Sequence, residues 1–593
     1  MPPETLLHSF LSNVQKLGKR SCFRYKQQGA WQSISWEEVA EKVAVVSAGL
    51  TLLGVKKGDA VVIFSGTRVE WTLFDLAILS LGAVTVPIYQ SSTADQAKFI
   101  VQDCDAQVVI VETRDHHKKI ASSLAELPLV RHLVLIDGKL TGEAKVQTFE
   151  QLCKNGMSVD REAWRRGIDK ISLKDVATYV YTSGTTGNPK GAILTHGNFV
   201  AQIEALTRVF AITEQESSVI FLPLAHILAR VLQFYQLRAG YTQSYAESIE
   251  KLVDNMGEIR PYFFVSVPRI FEKVYERVLS QAEAGSSVKK AIFAWAVRVG
   301  KEVSRRIQNH EPLSAILAVQ REIATLLVFR KLKNRLGGRL RFAVSGGAPL
   351  SKEIAEFFHA AGILVLEGYG LTETSAAINC NTPTDFKFGS VGRAVYETEE
   401  KIADDGEILV RGPLVFQGYY KNPEGTREVL SEDGWFKTGD IGEFDADGFL
   451  RITDRKKDII VTAAGKNVAP QNIENFIKTV PAISQVMVYG DRKKYLSALV
   501  TLNPEEVQKY AQTQGINDQD FKSLVKHPKI YAFIKKAIDE KNKKMASYET
   551  IKHFAILESD FTQESGELTP TLKVKRKFVS QKYKDVIEGL YQE

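Results

Sequence analysis

The chain has 593 residues, more than one hydrophobic core usually organises, so at least two domains are expected. Apolar residues make up 44% and charged residues 25%, as in globular proteins, and a net charge of +7 favours anionic ligands or anionic membrane surfaces in a general way. Four scattered cysteines without CxxC spacing argue against zinc sites and disulfide frameworks and fit a reducing compartment. The absence of basic clusters interleaved with aromatics argues against nucleic acid. The start, MPPETLLHSFLSNVQ, lacks a secretory pattern, and no apolar run is long enough to span a bilayer.

Residues 1–60 read as a helical entry. Ser35 and Glu38 have capping-box spacing ahead of a helix running to Leu53, which Gly54 stops. Residues 60–64, 82–87 and 108–112 read as strands, with a helix over 70–81. This alternation predicts a parallel sheet covered on both faces. A further apolar strand, 176–181, leads into YTSGTTGNPKG. Thr182, Ser183, Thr185 and Thr186 supply hydroxyl donors. Gly184, Gly187 and Gly191 leave backbone N–H groups exposed, and Lys190 adds a mobile positive charge. A loop of donors ending in a cation suits a polyphosphate, although the spacing is not that of the common P-loop.

This stretch resembles the phosphate-binding loop of the AMP-forming, adenylate-forming enzymes: acyl-CoA synthetases, peptide-synthetase adenylation domains and luciferases. A helix follows over 196–210, starting near Thr195, and then FLPLAHILAR at 221–230. A similar segment in those enzymes places His226 beside the carboxylate substrate. SVPRIFEKVYERV at 266–278 resembles a segment of the long-chain acyl-CoA synthetases. Residues 280–335 read as one long amphipathic helical region. Its polar face is expected in solvent, while its Lys and Arg residues give it a second reading as a membrane-facing surface.

A strand at 341–345 enters SGGAPL, where Gly346 and Gly347 leave backbone open to a flat base, followed by Ala348 and the stiffening Pro349. EGYGLTET brings Glu367, Gly368, Tyr369, Gly370, Leu371, Thr372 and Glu373 to the end of another strand. The resemblance implies that Tyr369 stacks on adenine, Thr372 binds phosphate, and Glu373 with Thr182 holds Mg2+, a hard cation suited to oxygen ligands. Residues 385–450 read as a small β-barrel or twisted sheet ending in WFKTGD. Asp440 corresponds there to the ribose-binding aspartate. In TDRKKDIIVTAAGKNVAP, Arg455 corresponds to a ribose-contacting arginine, and Lys457 to a pivot that is Asp in many relatives. Gly465, Lys466 and Asn467 correspond to the face that admits coenzyme A. Strands at 483–489 and 496–502 alternate with helices. In GELTPTLKVKRKFV, Lys573 corresponds to the lysine of a closing loop, with Thr571 and Leu572 where Ser-Gly is more common.

The resemblance covers residues 30–580 in family order. It implies an α/β fold: a large N-terminal adenylation domain, 1–454, of two parallel-type sheets plus the small barrel at about 385–450. A smaller mobile α+β domain, 455–593, would follow a hinge at about 454–458. The implied function is ATP-dependent fatty acid activation to acyl-AMP and transfer to coenzyme A. Lys573, Thr372, Glu373, Lys190 and His226 would be catalytic, and the acyl chain would lie in an apolar tunnel between the helices around 226 and segments 344–378. Mg2+ would serve as cofactor in a cytoplasmic monomer or homodimer, with peripheral membrane contact as a further option. Three alternatives stay open: transfer to a carrier protein, an aryl- or amino-acid-activating relative, and a non-catalytic nucleotide-binding or membrane scaffold. The PRIFEK segment and the 280–335 insertion count against the second. Retention of Lys190, Glu373, Asp440 and Lys573 counts against the third.

Overall fold

A computed structural model describes residues 5–138, 145–182, 188–463, 466–516, 520–569 and 573–592. Two large sheets organise the first part of the chain. The first has seven strands in the spatial order Val146–Thr148, His132–Leu135, Val108–Val111, Ala60–Phe64, Val84–Ile88, Val176–Thr182 and Lys190–Thr195. All neighbours are parallel except the last pair, an antiparallel hairpin. The second has nine strands with a parallel centre, in which Phe263–Ser266, Phe342–Ser345 and Leu364–Tyr369 lie side by side. Strands such as Ala60–Phe64 are buried along their whole length, which is why their sequences are continuous apolar runs.

Helix Val69–Ser80 is buried at every position except Glu70, as its nearly all-round apolar sequence demands. Its one interior carboxylate, Asp75, meets Arg230 of helix Ile227–Ala239; both side chains are only 1% exposed. Arg230 Nε and Nη2 donate to the two Asp75 oxygens at 3.1 and 2.5 Å, and Nη1 donates to Thr178 Oγ1 at 2.5 Å. Thr85 Oγ1 also donates to Asp75, at 2.7 Å. The ion pair thus ties a central helix to two strands of the first sheet and to the helix that begins at His226.

Helix Trp36–Leu52 carries the expected capping box, with the Ser35 hydroxyl accepting from Glu38 N–H and the Glu38 carboxylate accepting from Ser35 N–H. The entry is not purely helical, however. Strands Ser21–Gln27 and Ala30–Ser35 form a hairpin at the edge of the nine-stranded sheet, around a turn with positive φ at Gln28 and Gly29. The 280–335 region is helical but broken into Ser287–Gln308, Ala315–Ala324, a π turn Thr325–Phe329 and Arg330–Arg335, with Pro312 in the break. Residues 393–394, expected in the small β region, join the nine-stranded sheet. The remaining strands, Glu399–Ile402, Glu407–Arg411, Phe436–Phe444 and Leu450–Arg455, form an antiparallel sheet whose outer strands do not pair, so it stays open rather than closing as a barrel.

The C-terminal part has its own sheet, Ile483–Tyr489, Leu496–Leu502 and Ile551–Ile556, and its own apolar clusters. It touches the large domain through polar groups. Arg269 Nη2 donates to Ser484 Oγ at 3.2 Å, Asn475 Nδ2 donates to Pro349 O at 3.4 Å, and Lys478 pairs with Glu272 at 3.8 Å. The SVPRIFEKVYERV segment, helix Pro268–Glu283, therefore faces the small domain.

Arg230→Ala leaves the Asp75 carboxylate buried without its cation, so it should cost about 3–5 kcal/mol in denaturant unfolding of the large domain. The paired replacement Asp75→Leu with Arg230→Met should lose much less, because no uncompensated charge remains.

Candidate active site

The hairpin of the seven-stranded sheet sets Thr182 opposite Lys190 across the ladder, one on each side of the glycine-hydroxyl loop. Ser183, Gly184, Thr185, Thr186 and Gly187 lie outside the described residues. The loop's two ends are held firmly: the Tyr181 hydroxyl donates to Asp103 at 2.5 Å, and Thr182 Oγ1 donates to Lys190 O at 3.4 Å. Lys190 Nζ lies 5.0 Å from the centre of the Tyr419 ring. The Tyr419 hydroxyl donates to Glu373 Oε1 at 2.8 Å. Tyr419 thus links the loop's lysine to the carboxylate of the second motif; VFQGYY contained it, but its aromatic pair reads equally well as sheet packing.

Glu373 sits in the short 3-10 turn Thr372–Thr374 and is buried. Leu371 N–H donates to Thr374 Oγ1 at 2.9 Å, which closes the turn. Burial pushes the Glu373 carboxyl above the usual range, while the Tyr419 hydrogen bond pulls it back. Gly370 precedes this turn, and a Cβ there would stand 1.4 Å from Ala376 O, so no side chain fits. Thr372 is half-buried at the start of the turn.

Strand Leu364–Tyr369 brings up the other half of EGYGLTET. Tyr369 belongs to the strand itself, and its hydroxyl donates to Asp440 Oδ2 at 2.7 Å. Arg455 Nε forms an ion pair with the second oxygen, Asp440 Oδ1, at 3.0 Å. Asp440 and Arg455 are register partners on adjacent strands, so the antiparallel sheet fixes this pair. Glu367 is buried; it accepts from Leu350 N–H at 3.1 Å, and burial raises its carboxyl to about 7. The turn through Gly347, Ala348 and Pro349 is half-buried, with Gly347 at φ +82°.

Lys573, exposed on the C-terminal domain, lies within charge range of Arg455, Asp440 and Asp458. Crowding by the surrounding protein lowers its ammonium to about 8, with repulsion from Arg455 adding and attraction to Asp440 and Asp458 opposing. His226, at the N-cap of helix Ile227–Ala239, accepts from Leu228 N–H through Nδ1 at 3.2 Å. Burial lowers its imidazole to about 4, and the Lys573 charge reaches it too. His226 is therefore neutral at physiological pH. His226, Gly347 and Tyr369 line an apolar cavity of about 80 Å3 together with Val231 and Val344.

The geometry thus brings Glu367, Gly368, Tyr369, Gly370, Gly347, His226, Asp440, Arg455 and Lys573 around one cleft. Lys190 reaches it through Tyr419 and Glu373. Lys457 stands apart, exposed in the turn after strand Leu450–Arg455. Lys466 and Asn467 are also exposed, on the small hairpin Ile460–Val461 with Asn467–Val468; Gly465 lies outside the described residues.

A large α/β domain with parallel sheets, followed by a separate C-terminal domain over a shared cleft, is the fold of the adenylate-forming enzymes. The chain belongs to the AMP-binding enzyme family, whose profile matches residues 10–420; that of the AMP-binding enzyme C-terminal domain matches residues 457–593. It is 41% identical over 570 residues to the long-chain-fatty-acid–CoA ligase FadD15 of Mycobacterium bovis, covering 95% of this chain and 93% of that one. It is 33% identical over 594 residues to the peroxisomal long chain acyl-CoA synthetase 6 of Arabidopsis thaliana, covering 95% and 82%. Among solved structures, the adenylation domain of a carboxylate reductase from Mycobacterium chelonae aligns with a TM-score of 0.80 at 22% identity, over 100% of this chain and 92% of that one.

Tyr419→Phe removes the hydrogen bond that holds the Glu373 carboxyl down, so that carboxyl should titrate at higher pH. ATP binding in the presence of Mg2+, measured by calorimetry, should then fail on the acid side at a higher pH than in the parent. An unchanged acid limb would separate Tyr419 from the site.

Proposed function

We propose that this protein joins a long-chain fatty acid to coenzyme A in two steps, forming acyl-AMP and pyrophosphate from ATP and then acyl-CoA and AMP. The observation that carries this reading is the apolar cavity opening at His226, Gly347 and Tyr369, directly beside the polar groups of the cleft. A nucleotide site alone has no use for such a cavity. A carboxylate with a long apolar tail needs both. The names of the relatives, a long-chain-fatty-acid–CoA ligase and a long chain acyl-CoA synthetase, point the same way.

In the first step a carboxylate oxygen attacks the α-phosphorus of ATP, and the bond from that phosphorus to the bridging oxygen of pyrophosphate breaks. Both partners are anions, so alignment and charge neutralisation are the protein's main contribution. At about 4 Å, two unit charges repel by several kcal/mol in a site of intermediate dielectric. Lys573 offsets this at the reacting end, and Lys190 with the loop hydroxyls of residues 182–187 does so at the β- and γ-phosphates. Glu373 and Thr182 fit Mg2+: an oxygen set whose carboxylate is buried, raised by desolvation and in need of a cation. When bound there, the ion spreads positive charge over the triphosphate. Tyr369 offers its ring to adenine, with Gly347, Ala348 and Pro349 on the turn beside it. Asp440 and Arg455 hold the ribose hydroxyls, and Thr372 holds phosphate. His226, being neutral, lines the carboxylate's path without adding charge.

In the second step the sulfur of coenzyme A attacks the acyl carbonyl and AMP leaves. Lys573 serves the first step and would obstruct the second, so the small domain turns to clear it. We place the boundary at 454/455 and the hinge at 454–458, with Lys457 as pivot; the turn brings Gly465, Lys466 and Asn467 to the site. All four cysteines are free thiols, which supports a reducing, cytoplasmic location. No helix among the described residues is long and apolar enough to cross a membrane.

ATP–pyrophosphate exchange should depend on added long-chain carboxylate, and coenzyme A should convert the intermediate to acyl-CoA. Exchange without carboxylate dependence would overturn the reading. Lys573→Ala should lower adenylation by about a hundredfold or more while thioester formation from supplied acyl-AMP survives. The ammonium form of Lys573 is the useful one and the free-enzyme value is lowered to about 8, so kcat/KM for adenylation should fall above pH 8. Bound ATP adds negative charge and holds that proton, so the same limb in kcat should lie at higher pH.

A further inference from the structure

Helix Ala315–Ala324, the π turn Thr325–Phe329 and helix Arg330–Arg335 run on from one another; the first two pack against helix Ser287–Gln308 and the last against helix Leu252–Ile259. Leu317, Ala324, Phe329 and Leu332 are buried. Ile316, Val319, Ile323, Leu326 and Leu327 are instead exposed, by 43% to 72%. Their spacing keeps them on one side, and the π turn lets two successive leucines face outward together. Single exposed apolar residues need no explanation, but a run of five along one helical rod does.

The charges beside this stripe are strongly one-sided. Residues 315–335 hold Arg321, Arg330, Lys331, Lys333 and Arg335 against Glu322 alone. Leu326, Arg330, Lys331, Asn334 and Arg335 line a surface depression where the apolar stripe meets the cations. Arg330 and Lys331 form no ion pair among the described residues. A second copy pairing through this same face would bring two patches of the same net positive charge together, since a twofold contact buries the same patch on both subunits. An anionic lipid surface satisfies both halves of the pattern at once.

We propose that this face docks the protein on anionic lipid bilayers, with Ile323, Leu326 and Leu327 entering the acyl boundary and Arg330 and Lys331 holding headgroup phosphates in the depression. Docking deepens the fatty-acid reading given above, because long apolar acids partition into bilayers; the binding itself requires no turnover. The test is flotation of the full chain with vesicles of phosphatidylcholine alone, or with about 30% phosphatidylglycerol added. The parent should float with the anionic vesicles more than with the neutral ones. I323Q/L326Q/L327Q should reduce the floated fraction at least about tenfold, and R330Q/K331Q should remove the preference for anionic lipid.

Both variants should keep the parent's thermal unfolding, and its exchange activity on a short soluble carboxylate without vesicles. Equal flotation of the apolar variant and the parent would overturn the proposal, as would a parent that ignores both vesicle types. A parent dimer that the apolar substitutions dissolve in analytical ultracentrifugation would assign the face to a second copy instead. If exchange fails in every protein while flotation follows the expected pattern, docking stands and the ligase reading falls.

Discussion

The Asp75–Arg230 pair is the interaction on which the placement of the site depends. Asp75 sits inside an almost wholly apolar helix, and Arg230 sits on the helix that His226 begins. Burying two charges is expensive, and it is tolerated only where geometry and extra hydrogen bonds satisfy them. Here Thr85 and Thr178 complete the shell, and Thr178 lies on the strand that ends at Thr182. One contact therefore fixes the strand that leads into the glycine-hydroxyl loop relative to the histidine that lines the cavity. Aromatic rings of Trp71, Phe199 and Phe234 surround the guanidinium, at 5.3–5.8 Å from their centres. They keep water away from it, so the pair stays directional.

The cleft above this pair has a consistent electrostatic character. Burial raises the Glu373 and Glu367 carboxyls and lowers the His226 imidazole. Each group is drawn toward its neutral form, as desolvation dictates.

The sequence made much of this legible, for identifiable reasons. The strand at 60–64 reads correctly because a strand buried on both faces is a continuous apolar run. The helix after Ser35 reads correctly because its cap is chemical, not statistical. The edge hairpin at 21–35 escaped: its polar, half-exposed residues carry little period, and its turn at Gln28–Gly29 is not the usual Asn-Gly signal. Asp75–Arg230 escaped because the partners are 155 residues apart, and nothing local to either names the other. Tyr419 escaped similarly, since its link between Lys190 and Glu373 exists only once three segments have folded together. The cleft's membership was readable from motifs, but its wiring was not.

The polar character of the seam between the two domains has a thermodynamic consequence. No buried apolar cluster among the described residues extends across it; each domain keeps its own. The Arg269–Ser484, Asn475–Pro349 and Lys478–Glu272 contacts are bonds that water can replace almost one for one. Parting the domains along this seam exposes little new oily surface. Such a joint acts as a detent rather than a weld: its contacts hold one arrangement without an oily core to lock it.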